Sequence, residues 1–170
     1  MTVKLIGALC ILAGCAGVGF QISANFVKEE KSIRQLIGLL DYMSSELQYR
    51  LTALPDLCRQ ASLEANGPLS RLFLQLSNEM SDQVAPDVSR CMAAALAKVN
   101  DIPPTTCQLL QILGSSLGRF DMSGQLRGID CVRAECKRRL DSLTENKDVR
   151  LRSYKTLGLC AGAAIVILFI

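Results

Sequence analysis

The sequence predicts an all-α protein, an antiparallel bundle of about six helices between an N-terminal and a C-terminal membrane segment. Apolar residues recur at helical spacing between residues 28 and 155, and no run alternates apolar and polar residues as a half-buried strand does. Both ends of the 170-residue chain are almost purely apolar. We expect three parts: a transmembrane helix at 1–27, a helical domain at 28–155, and a transmembrane or half-inserted helix at 156–170.

The first apolar segment is long enough to span a bilayer. Residues 5–27 are 23 consecutive uncharged residues, and as a helix they would reach about 34 Å against a hydrocarbon core of about 30 Å. The last segment has only 15 residues, so it fits either a full span or a half-inserted hairpin. Glycines in both segments allow close helix packing in lipid, although glycine is common in membrane helices anyway. They are Gly14, Gly17, Gly158 and Gly162.

Lysine and arginine residues flank both apolar segments on the side of the central domain, so the positive-inside rule predicts that this domain faces the cytoplasm. One alternative would reverse this topology, because Leu12-Ala13-Gly14-Cys15 has the form of a lipobox. Acylation at Cys15 would make the chain a lipid-anchored extracytoplasmic binding module. Against it, the sequence stays apolar after Cys15, where a lipoprotein continues with a polar tether.

The helices of the central domain follow from apolar stripes and from breaking residues. The first helix can continue the membrane helix to about Leu51. A capping Thr52 and a first-turn Pro55 predict the start of the second helix, which Gly67 and Pro68 end.

The same kinds of residue predict the three remaining helix boundaries. The third helix carries an apolar stripe over 69–80, and Pro86 is predicted to start the fourth. Residues 101–104 are predicted to end the fourth helix, and the fifth helix runs to Gly118. Asp121 is placed to cap the sixth helix, which has no proline to stop it before the last segment.

Composition excludes several classes of function. The chain has no histidine and no GxxxxGK[ST] loop, and its eight cysteines include no pair at CxxC spacing. The usual general base, the phosphate-binding loop and a zinc site are therefore not indicated, and we expect no enzyme activity, cofactor or metal. The central domain holds 18 basic and 16 acidic residues, a balance that argues against nucleic-acid binding.

The charge is nevertheless uneven, since residues 127–155 hold nine basic and five acidic groups. A net positive stretch beside the membrane favours anionic lipid or an acidic partner. We expect contacts with a partner or with lipid from five residues of this stretch: Arg127, Arg133, Lys137, Arg138 and Arg139.

Three stretches carry a resemblance to a known family. They are Lys4-Leu5-Ile6-Gly7-Ala8 at the start, the sequence LGRFDMSGQ at 117–125, and Tyr154-Lys155-Thr156-Leu157-Gly158 before the last segment. With them, the whole chain resembles the stage III sporulation protein AB family of endospore-forming bacteria in length and layout.

The resemblance implies a component of the sporulation channel between mother cell and forespore, similar to the inner-membrane platform proteins of type II secretion and type IV pilus systems. It implies a place in the cell membrane, a helical domain facing the mother-cell cytoplasm, and a role in coupling a secretion-type ATPase to other channel membrane proteins. Platform proteins usually carry two bundles and three spans, whereas this chain has one bundle, so self-association stays open. The transported substrate stays open as well.

The LGxxD step gives Leu117, Gly118 and Asp121, with Gln125 one turn further. Two interpretations are open for these residues. Gly118 can end one helix and Asp121 can begin the next, which would make the step a stable corner, or the step contacts a partner directly.

Overall fold

The structure is a computed structural model, and it describes residues 2–50, 52–82, 87–118 and 121–145. Within 2–23 the description covers the backbone and, of the side chains, only that of Gln21. This part of the chain contains six α-helices and no strand, which confirms the predicted all-α class. The helices are α1 Thr2–Arg50, α2 Leu54–Glu64, α3 Pro68–Ser81, α4 Val88–Lys98, α5 Pro104–Ser116 and α6 Met122–Thr144.

The long helix α1 confirms that the first helix continues from the N-terminal segment without a break. It has 49 residues, or about 73 Å at 1.5 Å per residue. In its second half one stripe at helical spacing is buried, including Ile33, Leu36 and Leu40, none of which has any exposed surface. This stripe is the face on which the other helices pack.

The chain divides into two compact units. Glu29–Asp141 forms one unit, and the residues on either side of it belong to the other. Over the residues that the structure describes, no helix combines the length and the apolar composition that crossing a membrane requires. The two predicted membrane segments, 1–27 and 156–170, therefore stay predictions; all of the second and most side chains of the first lie outside the description.

In the unit Glu29–Asp141, α1 and α2 run antiparallel. The side-chain amide of Gln35 donates to the carbonyl of Asn66 at 3.1 Å. Further along α1, the hydroxyl of Tyr42 donates to Oε1 of Gln60 at 3.3 Å. Because the residue number rises on α1 while it falls on α2, the two helices point in opposite directions.

The next pair, α2 and α3, is antiparallel as well. The Ser70 hydroxyl donates to the carbonyl of Ser62 at 2.7 Å, and the Ser77 hydroxyl donates to the carbonyl of Pro55 at 2.8 Å. Both hydroxyls lie between the two helices, and each donates its hydrogen to a backbone carbonyl of α2. These two hydrogen bonds fix the position of α3 along the axis of α2.

Helix α5 touches both α1 and α6. The Thr106 hydroxyl donates to Oγ of Ser32 on α1 at 3.2 Å, and Arg139 on α6 donates to Oε1 of Gln108 at 3.2 Å. Thr106 is fully buried, so its hydroxyl needs the partner that α1 supplies. These bonds show that α5 contacts both the first and the last helix.

Helix α6 returns beside α1 in the antiparallel sense. Arg133 donates to Asp41 on α1 at 2.6 Å. Arg139 is further along α6 and lies at Gln108, close to the α5 residue that contacts Ser32, which comes earlier on α1. The predicted antiparallel bundle is therefore present in this unit, and its last helix closes onto its first.

Two predicted helix starts need correction. Thr52 does not cap α2: the helix begins at Leu54, the N-cap is Ala53, and no side chain caps it. Pro55 does lie in the first turn, as predicted. The predicted start at Pro86 lies outside the described residues; the helix α4 begins at Val88, and its N-cap is Asp87, whose carboxylate accepts from the backbone N–H and the hydroxyl of Ser89.

Candidate interaction surface

Gly118 forms the corner between α5 and α6, and its surroundings allow no side chain. Its φ is +76°, a left-handed conformation that glycine adopts without strain. A Cβ placed there would lie 2.5 Å from Cγ2 of Val88 and 3.6 Å from Cδ1 of Leu54. The end of α5 thus packs directly on the first residues of α4 and α2, and the glycine is needed both for the turn and for the close approach.

Asp121 caps α6, as the sequence predicts. Its Oδ1 accepts from the backbone N–H of Gly124 at 3.1 Å, its Oδ2 accepts from the Ser123 hydroxyl at 2.6 Å, and its carbonyl accepts from the N–H of Gln125 at 3.0 Å. These bonds from Ser123 and Gly124 hold the pKa of the Asp121 carboxyl below its ordinary value. Gly118, Asp121 and Gln125 therefore all lie at this corner, and a direct partner contact by them stays a prediction.

The predicted basic residues of α6 do not form one free cationic face. Arg133 is a third exposed and joins Asp41 of α1 at 2.6 Å and Asp130 of its own helix at 2.7 Å. Both bonds are charge-assisted, and they raise the pKa of the Arg133 guanidinium. Arg139 is held between Glu135 at 3.0 Å and Gln108 of α5. These two arginines join α6 to its neighbours.

The other three cations point away from the bundle. Arg138 is 75% exposed and pairs with Glu135 at 2.6 Å. Arg127 and Lys137 are exposed and form no ion pair with any residue that the structure describes. Of the five predicted contacts, these three are therefore available to a partner or to lipid.

The small residues predicted for membrane helix packing cannot be placed in the same way. Gly14 and Gly17 lie within the backbone of α1, where the surroundings of the side chains are not described, and so does the lipobox Cys15. Gly158 and Gly162 lie outside the described residues. Pairing of the two segments stays a prediction.

One ion pair, between a buried glutamate and an exposed lysine, was not predicted from the sequence. Glu79 is 3% exposed, and its Oε1 accepts from Nζ of Lys98 at 2.5 Å and from Nε2 of Gln75 at 2.7 Å. The bonds from Lys98 and Gln75 lower the pKa of the Glu79 carboxyl. Gln75 is one turn from Glu79 on α3, but Lys98 is on α4, and no sequence pattern links residues 79 and 98.

Two further glycines allow close helix packing. A Cβ on Gly114 would lie 2.7 Å from Cβ of Met92, so α5 lies directly against α4 there. A Cβ on Gly128 would lie 2.6 Å from Cβ of Ser116, so the same holds between α6 and α5. Glycine in a helix interior is unfavourable in itself, and here close packing accounts for it.

Five cysteines have side chains that the structure describes, and all five are free: Cys58, Cys91 and Cys136 are buried, Cys107 is partly buried and Cys131 is exposed. Burial raises the pKa of the Cys58 thiol to about 12 and that of Cys136 to about 11. Thiols with such pKa values are inert at neutral pH. In the same part of the chain, no group of three or more acidic or cysteine side chains is arranged to hold a metal ion.

The described residues form an all-α antiparallel bundle with a long N-terminal helix and with exposed cations on its last helix. The profile described as stage III sporulation protein AB (spore_III_AB) matches residues 4–170. The chain therefore belongs to the stage III sporulation protein AB family.

Two comparisons support this assignment. The chain is 24% identical over 168 residues to stage III sporulation protein AB of Bacillus subtilis (strain 168), a match that covers 97% of this chain and 98% of that protein. A solved structure of a stage III sporulation protein AB superposes with a TM-score of 0.62 at 20% identity, over 72% of this chain and 98% of that one. The second match supports the fold.

Proposed function

We propose that this protein is a non-enzymatic, membrane-anchored platform subunit of a secretion-like sporulation channel between mother cell and forespore. In this role the helical domain faces the mother-cell cytoplasm, and it couples a secretion-type ATPase to the membrane proteins of the channel. Membership of a sporulation family supports the setting. The likeness to platform proteins of secretion and pilus systems supports the role.

The observation that carries the proposal is the layout of charge. All 16 acidic residues and all but one of the 19 basic residues lie between two apolar ends. A charged helical body between two apolar segments, with basic residues beside both, is what a cytoplasmic domain anchored at both ends requires. The exposed cations Arg127, Lys137 and Arg138 then offer contacts for anionic lipid or an acidic partner surface.

Topology is tested with the native Cys131, the exposed free thiol of α6. A membrane-impermeant maleimide is added to intact cells and, in parallel, to permeabilised cells. We expect labelling of Cys131 only after permeabilisation, and a Cys131→Ser variant serves as the control for specificity. Labelling in intact cells would contradict the proposal and favour a lipid-anchored module attached through Cys15.

The partner role is tested by reversing charges in two matched sets. The first set is Arg127→Glu, Lys137→Glu and Arg138→Glu together, and we expect it to reduce co-purification of the ATPase and the channel membrane proteins from crosslinked sporulating cells. The second set reverses three exposed arginines of α2, α3 and α4: Arg59, Arg71 and Arg90. The platform role requires that the first set reduce co-purification of these proteins more than the second set does, and an equal reduction would contradict it.

A further inference from the structure

The exposed face of α1 contains a glycine for which no described residue accounts. Gly38 lies in the second half of the helix, it is exposed, and a Cβ placed on it would meet no atom of the described residues within 4 Å. Glycine at an exposed helix position is less stable than alanine because it loses more backbone freedom on folding. Gly114, Gly118 and Gly128 are each explained by a close neighbour, and Gly38 is not.

Cations lie beside Gly38 on the same helix face. Residues four and seven positions apart share a face of a helix, so Arg34 and Lys31 lie on the side of Gly38 towards the N-terminus. Lys31 is exposed and forms no ion pair with a described residue. Arg34 bonds Glu30 at 3.0 Å and still keeps 57% of its side chain exposed.

Helix α6 contributes another cation at the same level. Arg133 pairs with Asp41, and the two helices are antiparallel. Lys137 is one turn after Arg133, and Gly38 is about one turn before Asp41, so Lys137 and Gly38 lie at the same height on adjoining helices. The exposed position at Gly38 therefore has cations of its own helix on the N-terminal side, and Lys137 lies at its level on the adjoining helix.

Beyond Asp41, whose carboxylate is bound by Arg133, the face of Gly38 carries uncharged residues. Ser45 lies seven residues on and is exposed, and Tyr49 lies eleven residues on with 78% of its surface exposed. Tyrosine offers both an apolar ring and a hydroxyl, which is why it is enriched in protein interfaces. A helix lying along this face would meet cations at one end, a glycine in the middle and an aromatic ring at the other end.

We propose that this face, which comprises Lys31, Arg34, Gly38, Ser45 and Tyr49 of α1 with Lys137 of α6, is a docking surface for an acidic helix of another protein. The glycine lets a helix backbone approach closely, and the cations select carboxylates. These carboxylates are needed from the end of the partner helix that lies on Lys31 to the level of Gly38, where Lys137 lies. The partner would carry a small residue where it crosses Gly38.

A second copy of this chain fits less well, and that argument rests on the proposed function. Two copies anchored in one membrane run parallel, so a two-fold axis at Gly38 would bring Lys31 against Lys31 and Arg34 against Arg34. An antiparallel pair would bring Arg34 near Asp41, but the N-terminal segments would then point in opposite directions. Like-charge repulsion in the first case and the shared membrane in the second favour a different, acidic partner.

The test uses the full chain in a sporulating host, with benzoylphenylalanine in place of Ser45. After irradiation the crosslinked peptides are sequenced by mass spectrometry. We expect a crosslink to a helical segment of another protein with an excess of Asp and Glu. A crosslink to a second copy, a crosslink to lipid, or no crosslink would each overturn the proposal.

Matched variants make the test specific. Lys31→Glu with Lys137→Glu should lower the crosslink yield at least fivefold, whereas reversal of Arg59 and Arg71 on α2 and α3 should leave it unchanged. Gly38→Ala should raise the thermal midpoint of the chain by about 2–5 °C and still lower the yield. An unchanged yield in Lys31→Glu with Lys137→Glu, or in Gly38→Ala, would overturn the proposal, because these substitutions are at exposed positions and keep the fold.

Failure here is distinguishable from failure of the proposed function. If Cys131 is labelled in intact cells while the acidic crosslink persists, the platform role fails and the docking surface stands. If Cys131 is protected and no acidic segment is crosslinked, the docking surface fails and the platform role stands.

Discussion

Replacing Gly118 by alanine should destabilise the corner between α5 and α6, so that the chain unfolds at a lower urea concentration. The left-handed φ of +76° destabilises a non-glycine residue by about 1–2 kcal/mol. The new Cβ would lie 2.5 Å from Cγ2 of Val88, and overpacking of this kind costs about 1–3 kcal/mol. The alanine also lowers the conformational entropy of the unfolded chain, which offsets about 0.4–1 kcal/mol, so the net destabilisation is about 1–4.6 kcal/mol.

The measurement is urea unfolding of the full chain in detergent, followed by the helix signal in circular dichroism. Gly114→Ala separates the two contributions, because Gly114 is helical and its Cβ would contact only the Met92 side chain and the Ser89 backbone. Gly118→Ala combined with Val88→Ala removes the overlap and leaves the backbone strain. If Gly118→Ala unfolds at the same urea concentration as the parent, the explanation of the LGxxD step as a structural corner is wrong.

The remaining predictions concern charge and thiols. Asp121 and Glu79 both have carboxyl pKa values below the ordinary ones. The stability that each carboxylate provides is therefore complete above its ordinary pKa and is lost as the pH falls through the lowered pKa. Asp121→Asn and Glu79→Gln should each make the free energy of unfolding depend less on pH in acid, and an unchanged dependence would contradict this. Arg133→Met should destabilise the chain by about 0.5–1 kcal/mol at low salt and by less at high salt, and a double-mutant cycle with Asp41→Asn should show coupling if the 2.6 Å bond exists in solution. Among the described cysteines, Cys131 should react first with iodoacetamide at pH 8, while Cys58 and Cys136 should stay unreacted until urea unfolds the chain; early alkylation of either buried thiol, measured by mass spectrometry, would show that the core opens locally.

The helices could be predicted from the sequence because glycine, proline and aspartate mark most of their ends. Gly67, Gly118 and Asp121 all act as predicted, since positive φ and side-chain capping depend on the residue itself. The prediction that Thr52 caps α2 was wrong for a physical reason. Proline is tolerated throughout the first turn, so Pro55 indicates that a helix begins nearby but does not select which residue before it is the cap.

The cationic face was predicted only in part, because a count of charges does not reveal their partners. Pairs three or four residues apart, such as Glu135 with Arg138 and Arg139, can be read from the sequence. The partner of Arg133 cannot, because Asp41 is 92 positions away. Only the return of α6 to the side of α1 brings them together, and that return removes Arg133 from the group of cations available to a partner.

The glycines give the clearest separation between what the chain needs for itself and what it needs for a partner. At Gly114 and Gly128 a neighbouring side chain lies where a Cβ would be, and at Gly118 both the neighbour and the backbone conformation require glycine. Substituting any of these by alanine should therefore lower stability. Gly38 has neither constraint, so its replacement by alanine should stabilise the folded chain by about 0.5–1 kcal/mol. A glycine that weakens the folded chain while touching no described residue is what the docking surface proposed on this face of α1 requires.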